Sequence, residues 1–503
     1  MSRPVRVRFA PSPTGPLHIG GVRTALFNYL FAKKHNGVFY LRIEDTDQNR
    51  YVAGAEDYIV EALNWCGIPF DEGVGKEGKY GPYRQSERKD IYKQYAQQLI
   101  DSGWAYYAFD TADSLDTARK EAESNGETFI YNHTNREMLD NSLRLAAEET
   151  QQRIANGEEY VIRFKTPTDE TLSLKDIIRG DVKFETNLLD DKVLFKSDGM
   201  PTYHLANIVD DYLMETSHVI RGEEWLPSLP LHVLLYRAFG WEAPEFAHLP
   251  LILKPVGNGK LSKRDGDKFG FPVFPLQWNN EDGTSSMGYR EEGYLPQAVV
   301  NYLALLGWSP GNDQEFFSID ELVRLFELEK VHKAGAKFDP AKIKSINHHY
   351  FQLEDNAVLA KQFSHTLLEK GINKPIEAIT KILGMVKERA TFAGELWELS
   401  KYFFETPESY DEKAAKKQWK EDTGAILTEL TTVIEGIYDF SSENIETITK
   451  AWMEEKGLGF KMMPPLRLSL VGEMKGAHMF DIMELIGKEE TVNRINKAVT
   501  TLS

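Results

Sequence analysis

The first hundred residues alternate strand patterns with helix patterns, and this alternation constrains the fold more than any other feature of the chain. Valine and phenylalanine alternate with arginine at 5–10, which predicts a short strand, and a second strand is predicted at 37–45. Apolar residues at helical spacing follow at 22–30, 53–67 and 86–103, and the charged stretch 138–158 is also predicted to be a helix. Strands separated by helices are typical of a parallel sheet, and ligands of such sheets bind at the carboxyl ends of the strands.

Length and composition narrow the class of protein. The 503 residues are enough for three or four domains, and 42% apolar with 27% charged residues is typical of a globular protein. No apolar run is long enough to span a membrane and no apolar signal segment is seen, so we expect a cytoplasmic protein. Cys66 is the single cysteine, which excludes an internal disulfide and a cysteine-rich zinc site. The net charge of -18 argues against a protein that simply coats nucleic acid, but not against a local basic face.

The loop between the first strand and the first helix has the composition of a phosphate site. It contains "PSPTG", then His18, then Gly20 and Gly21 in the first turn of the helix. It matches neither of the two common phosphate-loop motifs. Glycine lets a ligand approach the backbone, a helix N-terminus favours an anion, and a histidine can donate a hydrogen bond to a phosphoryl oxygen. The alternative is that His18 is an ordinary loop histidine and the glycines only form a turn.

A second candidate stretch is the basic loop "GNGKLSKRDGDK" at 257–268, which follows the apolar "LPLILKP". Lys260, Lys263 and Arg264 stand close together in it, flanked by glycine. Flexible cationic side chains on a mobile loop suit a triphosphate that must be neutralised and then released. The alternative is a basic loop that simply faces water.

A third set of residues concerns the choice of substrate. Charged and polar side chains follow predicted strands or open predicted helices at Arg8, Glu44, Tyr203, Asn207, Arg221, Glu224 and Trp225. Arginine and glutamate are costly to bury at the end of an apolar strand unless something pairs with them. A zwitterionic ligand would supply both partners. The alternative is that these residues pair with one another inside the cleft.

Together these stretches resemble the bacterial-type glutamyl-tRNA synthetases, a family of class I aminoacyl-tRNA synthetases. The hallmark motifs of that class, HIGH and KMSKS, are here "HIGG" from His18 and "KLSKR" from Lys260. Further matches follow in order: "RFAPSPTGPLHIGG", "RIEDTD", "GPYRQSER", "SDGMPTYHLANIVDD" and "VIRGEEWL". The resemblance covers residues 5 to about 350, and beyond that thins to "VKERATFAGELWEL" and "MMPPLRLSLVG". Gly21 replaces the second histidine of HIGH, a departure that glutamyl enzymes commonly tolerate.

The resemblance implies an α/β fold. A class I Rossmann-type parallel sheet would form the catalytic core, interrupted by an inserted domain that binds the tRNA acceptor end and followed by a mostly α-helical anticodon-binding region. The implied boundaries are 1–107 and 206–253 for the two halves of the core, 108–205 for the insertion, 254–345 for the KMSKS loop and stem-contact region, and 346–503 for the helical region.

The implied reaction has two steps. L-Glutamate is activated with ATP to glutamyl-adenylate and pyrophosphate, and is then transferred to the terminal adenosine of tRNA(Glu). Mg²⁺ would arrive with ATP and needs no dedicated protein site. Some relatives bind zinc through cysteines of the insertion; this chain has "WAYYAFD" there, so we predict no zinc. The family is usually monomeric, and we expect a monomer without a membrane partner.

The resemblance also assigns residues to roles, position by position. The residues expected to act in catalysis are His18, Gly20, Lys260 and Lys263. Those expected to bind ATP are His18, Gly20, Gly21, Glu224, Lys260, Leu261, Ser262, Lys263 and Arg264. Glutamate binding is assigned to Arg8 and Tyr203 for the side-chain carboxylate, Ser12 and Glu44 for the amino group, Arg221 and Asn207 for the α-carboxylate, and to Trp225.

Two arginines of the helical region, Arg389 and Arg467, are candidates for reading anticodon bases through planar, bidentate donors. The alternative is that they are surface arginines on packed helices. Residues 271–294 are longer than the usual connection after the second motif, and no function is predicted for them.

Three rival functions share part of this pattern. A glutaminyl-tRNA synthetase has the same architecture, but "RFAPSPTG" and "VIRGEEW" favour the glutamyl branch. A small nucleotidyltransferase has no use for the KLSKR loop or the long helical C-terminal region. A non-catalytic tRNA-binding protein would not need the intact set of charged candidates. Whether tRNA(Gln) is also charged with glutamate stays open.

Overall fold

The computed structural model describes residues 3–76, 78–280 and 282–503. Residues 1, 2, 77 and 281, which fall within the predicted segments 1–107 and 271–294, lie outside the described part. The chain divides into two compact units, one up to Ile343 and one from Lys344.

The strands are β1 (Arg6–Phe9), β2 (Val38–Leu41), β3 (Glu72–Gly73), β4 (Ala105–Ala108), β5 (Val161–Phe164), β6 (Thr171–Asp176), β7 (Gly180–Glu185), β8 (Val193–Phe195), β9 (His218–Gly222), β10 (Glu245–Leu249), β11 (Ile252–Leu253), β12 (Trp278–Asn279), β13 (Ser285–Ser286) and β14 (Ala336–Lys337). The helices of the first unit are α1 (Ile19–Lys34), α2 (Ala55–Trp65), α3 (Lys89–Asp101), α4 (Ala112–Ser124), α5 (Ala147–Ala155), α6 (Tyr203–Leu213), α7 (Leu229–Phe239), α8 (Lys263–Phe269), α9 (Pro296–Leu305) and α10 (Ile319–Leu325). The remaining helices are α11 (Pro340–Leu353), in which the division falls, α12 (Asn356–Glu369), α13 (Ile376–Val386), α14 (Leu396–Ser400), α15 (Glu412–Gln418), α16 (Thr423–Glu435), α17 (Ser442–Glu455), α18 (Met463–Val471), α19 (Met479–Ile486) and α20 (Lys488–Leu502).

The predicted parallel sheet is confirmed. β1 pairs with β2 and β2 with β3, all parallel, and β10 pairs in parallel with both β9 and β6. At the start of β9 the Ser217 N–H donates to the carbonyl of Arg6 at 2.9 Å, which brings β9 beside β1. The carboxyl ends of β1, β2 and β9 therefore lie along one edge, where a ligand of this fold class is expected.

β6 and β7 fall inside the predicted insertion, yet they extend the core sheet. β7 pairs antiparallel with β6, and β6 lies against β10 with Asp176 opposite Phe246. The rest of that segment forms a separate antiparallel sheet of β4, β5 and β8 with α4 and α5. The segment thus contributes strands to two sheets.

Two predicted helices begin later than their patterns indicate. The helix at 86–103 starts as a 3-10 turn, and α3 begins only at Lys89, because the Ser86 N–H donates to Asp45 Oδ1 at 2.8 Å. The charged stretch 138–158 is helical only in α5, since Asn141 accepts from the Leu143 N–H at 3.0 Å. A side chain that bonds a backbone N–H two residues away, as Asn141 does, competes with helix formation.

Helix α1 connects the sheet to the rest of the core. Val22, Ala25, Leu26 and Leu30 of its predicted apolar face are buried. On the same helix Asn28 donates from Nδ2 to the carbonyl of Ile220 in β9 at 3.0 Å. These contacts hold the N-terminus of α1 beside the carboxyl ends of the strands.

The second unit, in which every residue is described, contains helices and no strands. Its C-terminal helix α20 buries Ile495 and Ala498. Among all described residues of the chain, none of the helices is both long and apolar enough to cross a membrane.

Candidate active site

A cavity of about 450 Å³ opens at the carboxyl ends of β1, β2 and β9. The predicted residues that line it are Arg8, Ser12, His18, Gly20, Gly21, Glu44, Tyr203, Asn207, Arg221, Glu224, Trp225, Lys260 and Leu261. Ser262, Lys263 and Arg264 are exposed and lie outside the lining. Candidates that are up to 253 positions apart in the sequence are thus brought to one place by the sheet.

His18 caps helix α1. Its Nδ1 accepts a hydrogen bond from the Gly20 N–H at 3.1 Å, which assigns the remaining ring proton to Nε2. Nε2 is buried and has no hydrogen-bond partner among the described residues. Burial lowers the pKa of His18 to about 4, and the positive charge of Lys260 adds to this effect. At neutral pH the ring is therefore a neutral donor with an unused N–H, suited to a phosphoryl oxygen at a helix N-terminus.

The tautomer and pKa of His18 can be measured directly. In the free protein, His18 should stay neutral from pH 8 down to about 5 and take up its proton near pH 4, because burial disfavours the charged ring. Histidine-selective ¹³C labelling with NMR observation, assigned by the variant His18→Asn, checks this. A midpoint near 6.5, the value for an exposed histidine, would contradict the burial described here.

Gly21, the departure from the HIGH motif, packs closely against Leu17. A Cβ at this position would lie 2.5 Å from Cδ1 of Leu17, whose side chain is buried. At Gly20 the same atom would meet only Nδ1 of His18, at 3.5 Å. A Cβ at position 21 would thus require the Leu17 side chain to shift, whereas a Cβ at Gly20 would make only an ordinary van der Waals contact with His18.

The basic loop is anchored at its start and exposed after it. Leu261 is buried and its N–H donates to the carbonyl of Ile252 at 2.8 Å. Lys260 forms an ion pair with Glu224, with Nζ 2.7 Å from Oε1. Ser262 then caps α8, which places Lys263 in its first turn. Only Lys260 of the three cations therefore reaches the cavity in this conformation.

Arg8 is already paired within the chain. Its Nε and Nη2 donate to the two carboxylate oxygens of Asp211 at 3.0 and 3.2 Å, and both side chains are buried. Arg42 donates to the same Asp211 at 2.8 Å and to Glu44 at 2.8 Å. Burial acts to raise the pKa of Asp211, but the two arginines together lower it, so this carboxylate stays ionised. The pairing within the cleft that the sequence left open is thus present at Arg8.

Arg42 and Asp211 were not predicted from the sequence, although they lie in the motifs "RIEDTD" and "SDGMPTYHLANIVDD". Arg42 lies two residues before Glu44 in "RIED", the spacing that puts two side chains on one side of an extended chain. Asp211 lies four residues after Asn207 in α6, on the same face of the helix. These two spacings could have indicated that Arg42 and Asp211 lie beside the predicted site residues.

The internal pairing leaves specific atoms for a ligand. Arg8 Nη1 and Glu44 Oε2 make no hydrogen bond within the described chain, because Arg42 and Asn207 both donate to Oε1 of Glu44. Asn207 Oδ1 is buried and has no partner there either. Burial raises the pKa of Glu44 against the opposite effect of Arg42. A cation, an anion and an amide thus each retain one unsatisfied group at the same cavity.

Arg221 and two aromatic rings form another wall of the cavity. Arg221 Nη1 donates to the Tyr203 hydroxyl at 2.9 Å, and Nη2 donates to the carbonyl of Trp225 at 3.3 Å. The rings of Tyr203 and Trp225 lie 4.3 Å apart between centroids. Two histidines that sequence reasoning did not single out, His232 and His248, also contact Arg221.

In the second unit the two candidate tRNA residues meet at one loop. Arg389 donates from Nη2 to the carbonyl of Gly476 at 3.1 Å, and Arg467 donates from Nη1 to the carbonyl of Ala477 at 2.9 Å. Arg389 is exposed and Arg467 is half-buried. The two guanidinium groups, 78 positions apart in the sequence, therefore lie beside each other.

Comparison with known proteins agrees with this architecture. Residues 4–345 match the family model of class I tRNA synthetases (E and Q), catalytic domain, and residues 357–499 match an anticodon binding domain. The chain is 71% identical over 503 residues to a glutamate–tRNA ligase from Flavobacterium johnsoniae, with 100% of each sequence covered.

Two crystal structures are similar over nearly the whole chain. One is that of a glutamate tRNA ligase from Elizabethkingia meningosepticum in complex with its amino acid, with a TM-score of 0.97, 56% identity and 99% and 100% of the two chains covered. The other is a glutamate-tRNA synthetase from Elizabethkingia anophelis, with a TM-score of 0.94, 56% identity and the same coverage. The predicted fold, a parallel-sheet core followed by a helical anticodon-binding domain, is confirmed. The chain belongs to the class I tRNA synthetases of the E and Q family.

Proposed function

We propose that this chain is a glutamate–tRNA ligase that activates L-glutamate with ATP and transfers it to the terminal adenosine of tRNA(Glu). The observation that carries the proposal is the single cavity in which Arg8, Arg221 and Glu44 stand beside His18 and Lys260. The first three suit an amino acid with two carboxylates and one ammonium group. The last two suit the phosphates of a nucleotide.

Glutamate is held by the atoms that the internal ion pairs leave unused. Arg8 Nη1 and the Tyr203 hydroxyl bind the side-chain carboxylate, and Glu44 Oε2 with Ser12 binds the ammonium group. Arg221 and Asn207 bind the α-carboxylate, and the ring of Trp225 forms the wall of the cavity next to Arg221. Burial strengthens each of these ion pairs, since opposite charges attract more strongly where water is excluded.

ATP binds next to the amino acid, with its phosphates at the N-terminus of α1. His18 donates its Nε2–H to a phosphoryl oxygen. Gly20 allows the nucleotide to approach the backbone, and Gly21 follows it in the same turn at the cavity. Lys260 exchanges its partner Glu224 for phosphate, which frees Glu224 to contact the nucleotide. Leu261, Ser262 and Arg264 complete the loop on the ATP side.

Adenylate formation needs no covalent nucleophile from the protein. The α-carboxylate of glutamate attacks the α-phosphorus, and pyrophosphate leaves toward Lys260 and Lys263. The work of the protein is positioning and charge stabilisation, as in other displacements at phosphorus. Mg²⁺ is carried by ATP and lowers the negative charge of its phosphates. We expect no zinc, because the single cysteine, Cys66, lies outside the insertion.

The tRNA contacts extend beyond the core. We assign the acceptor end to 108–205, the stem to 254–345 and the anticodon to 346–503, where Arg389 and Arg467 are the first residues to test. The enzyme acts in the cytoplasm, where its tRNA is made and used, and as a monomer.

The experiment is ATP–pyrophosphate exchange in the presence of tRNA(Glu), with glutamate or glutamine as the only amino acid. Glutamate-dependent exchange is expected, because Arg8 and Arg221 face the two carboxylates of this substrate. Glutamine-dependent exchange would instead favour a glutaminyl-tRNA synthetase. Exchange with neither amino acid, while tRNA still binds, would indicate a non-catalytic tRNA-binding protein.

A further inference from the structure

Arg221 differs from two neighbouring buried arginines, Arg8 and Arg42, in what surrounds it. Arg8 and Arg42 each contact a carboxylate, whereas no carboxylate lies within ion-pair distance of Arg221 in the described chain. Its partners are all neutral acceptors. Nε donates to His248 Nε2 at 3.0 Å, Nη1 donates to His232 Nδ1 at 3.1 Å and to the Tyr203 hydroxyl, and Nη2 donates to a backbone carbonyl.

The hydrogen bonds assign a single protonation state to His248. Its Nε2 accepts from Arg221, so the ring proton is on Nδ1 and is donated to Asp176 Oδ2 at 2.6 Å. Both side chains are fully buried. Burial and the charge of Arg221 lower the pKa of His248 despite the neighbouring carboxylate, so the ring is neutral and the charge stays on Asp176.

Asp176 is itself held by the backbone. Its Oδ1 accepts from the N–H groups of Ile178 and Arg179 at 3.0 and 2.8 Å, and Oδ2 is the oxygen that faces His248. These bonds keep the pKa of Asp176 low, although burial alone would raise it. The carboxylate comes from the last residue of β6, which the pairing with β10 brings beside His248.

A second histidine, His232, contacts the guanidinium of Arg221 from the opposite side in a similar arrangement. His232 accepts from Arg221 at Nδ1, so its proton is on Nε2, which faces His204 Nδ1 at 3.2 Å. His232 is fully buried, and burial lowers its pKa well below the usual value. Two neutral imidazoles therefore hold Arg221 from two sides.

We propose that His248, backed by Asp176, and His232 are positioning residues that orient the guanidinium of Arg221 for the carboxylate of the amino acid. The proposal rests on the proposed function, in which Arg221 binds that carboxylate. A buried guanidinium must have its donors satisfied, but a carboxylate bonded directly to Arg221 would offset part of the positive charge that it offers to the substrate. The imidazole of His248 accepts the hydrogen bond from Arg221 Nε, and its ring separates Arg221 from the negative charge of Asp176. The ion pair of Arg221 is thus left for the substrate to form.

The test compares substitutions at His248 in ATP–pyrophosphate exchange with tRNA(Glu) present. His248→Leu removes the acceptor of Arg221 Nε, and the KM for glutamate should rise about 10- to 100-fold, the usual effect of leaving a charged donor unsatisfied. The KM for ATP should change less than about twofold, since the histidine acts only through Arg221. His248→Gln keeps an acceptor near the position of Nε2 and should recover most of the glutamate affinity.

Two further variants supply a control and a second, independent test of the proposal. His218→Leu alters a histidine of β9, the strand that carries Arg221. His218 contacts Ser217, Glu245 and Phe31 and no residue of the site, so the variant should leave both KM values unchanged. Asp176→Asn keeps the shape of Asp176 without its charge and should raise the KM for glutamate alone, which tests the proposal even where His248→Leu does not fold.

Each outcome decides one claim. A glutamate KM that stays at the wild-type value in His248→Leu or in Asp176→Asn would overturn the positioning role. Equal increases in the KM for glutamate and ATP, without recovery in His248→Gln, would overturn it as well, since they indicate general structural damage. Failure of the wild-type enzyme to exchange with glutamate would instead overturn the proposed function.

Discussion

Replacing Asp211 by alanine is expected to lower the free energy of unfolding by about 3–5 kcal/mol, the usual cost of leaving buried charges without a partner. Asp211 accepts from both Arg8 and Arg42, and all three side chains are buried. The variant therefore leaves two guanidinium groups next to each other with only Glu44 to balance them. Glutamate activation should be lost too, because Arg8 would no longer be oriented.

Urea denaturation followed by tryptophan fluorescence measures this change. The matched control is Asp116→Ala, which removes an aspartate paired with Arg119 on the exposed face of α4. Exposed pairs of this kind contribute about 0–1 kcal/mol, so the control should be close to wild type. A loss of less than about 1 kcal/mol in Asp211→Ala would mean that the buried ion cluster is not an essential part of the fold.

Lys263→Ala is expected to reduce adenylate formation by about 100- to 1000-fold, the range seen when one charge-stabilising group is removed from a transition state. Its effect on tRNA affinity should be small. Lys263 is exposed in the first turn of α8 and lies outside the cavity lining, so its contact with pyrophosphate requires a movement of the loop. The cost should therefore appear in the rate and not in the binding of ATP.

Single-turnover formation of glutamyl-adenylate gives the rate, and filter binding gives the tRNA affinity. Lys268→Ala, an exposed lysine near the other end of the same helix, is the control and should behave as wild type. Wild-type turnover in Lys263→Ala would contradict the role assigned to the KLSKR loop.

The sequence predicts local structure well where the period of the apolar residues is regular. The parallel arrangement of β1 and β2 and the helix after His18 follow from such periods, and so does the position of His18 at a helix N-terminus. Gly21 has a steric constraint that the sequence alone does not show, since Leu17 fills the space that its Cβ would take.

The partners of the charged residues could not be predicted in the same way. Arg8 and Asp211 are 203 positions apart, and Asp176 and His248 are 72 apart, so no spacing rule connects them. From the sequence, Arg8 and Arg221 are equivalent, since each is an arginine expected to pair with a carboxylate of the ligand. The structure separates them, because Arg8 has a carboxylate in contact and Arg221 has only neutral acceptors. Burial of a charge depends on the fold around it, which local patterns do not contain.

The most direct measurement of the central claim is attachment of the amino acid to tRNA. Purified tRNA(Glu) is incubated with the enzyme, ATP and Mg²⁺, and with labelled glutamate or labelled glutamine. The proposed function predicts that glutamate is attached and glutamine is not, because Arg8 and Arg221 are proposed to bind the two carboxylates of glutamate. The same assay on purified tRNA(Gln) determines whether that tRNA is charged with glutamate as well. Labelled glutamine on either tRNA, or no label from glutamate on tRNA(Glu), would contradict the account.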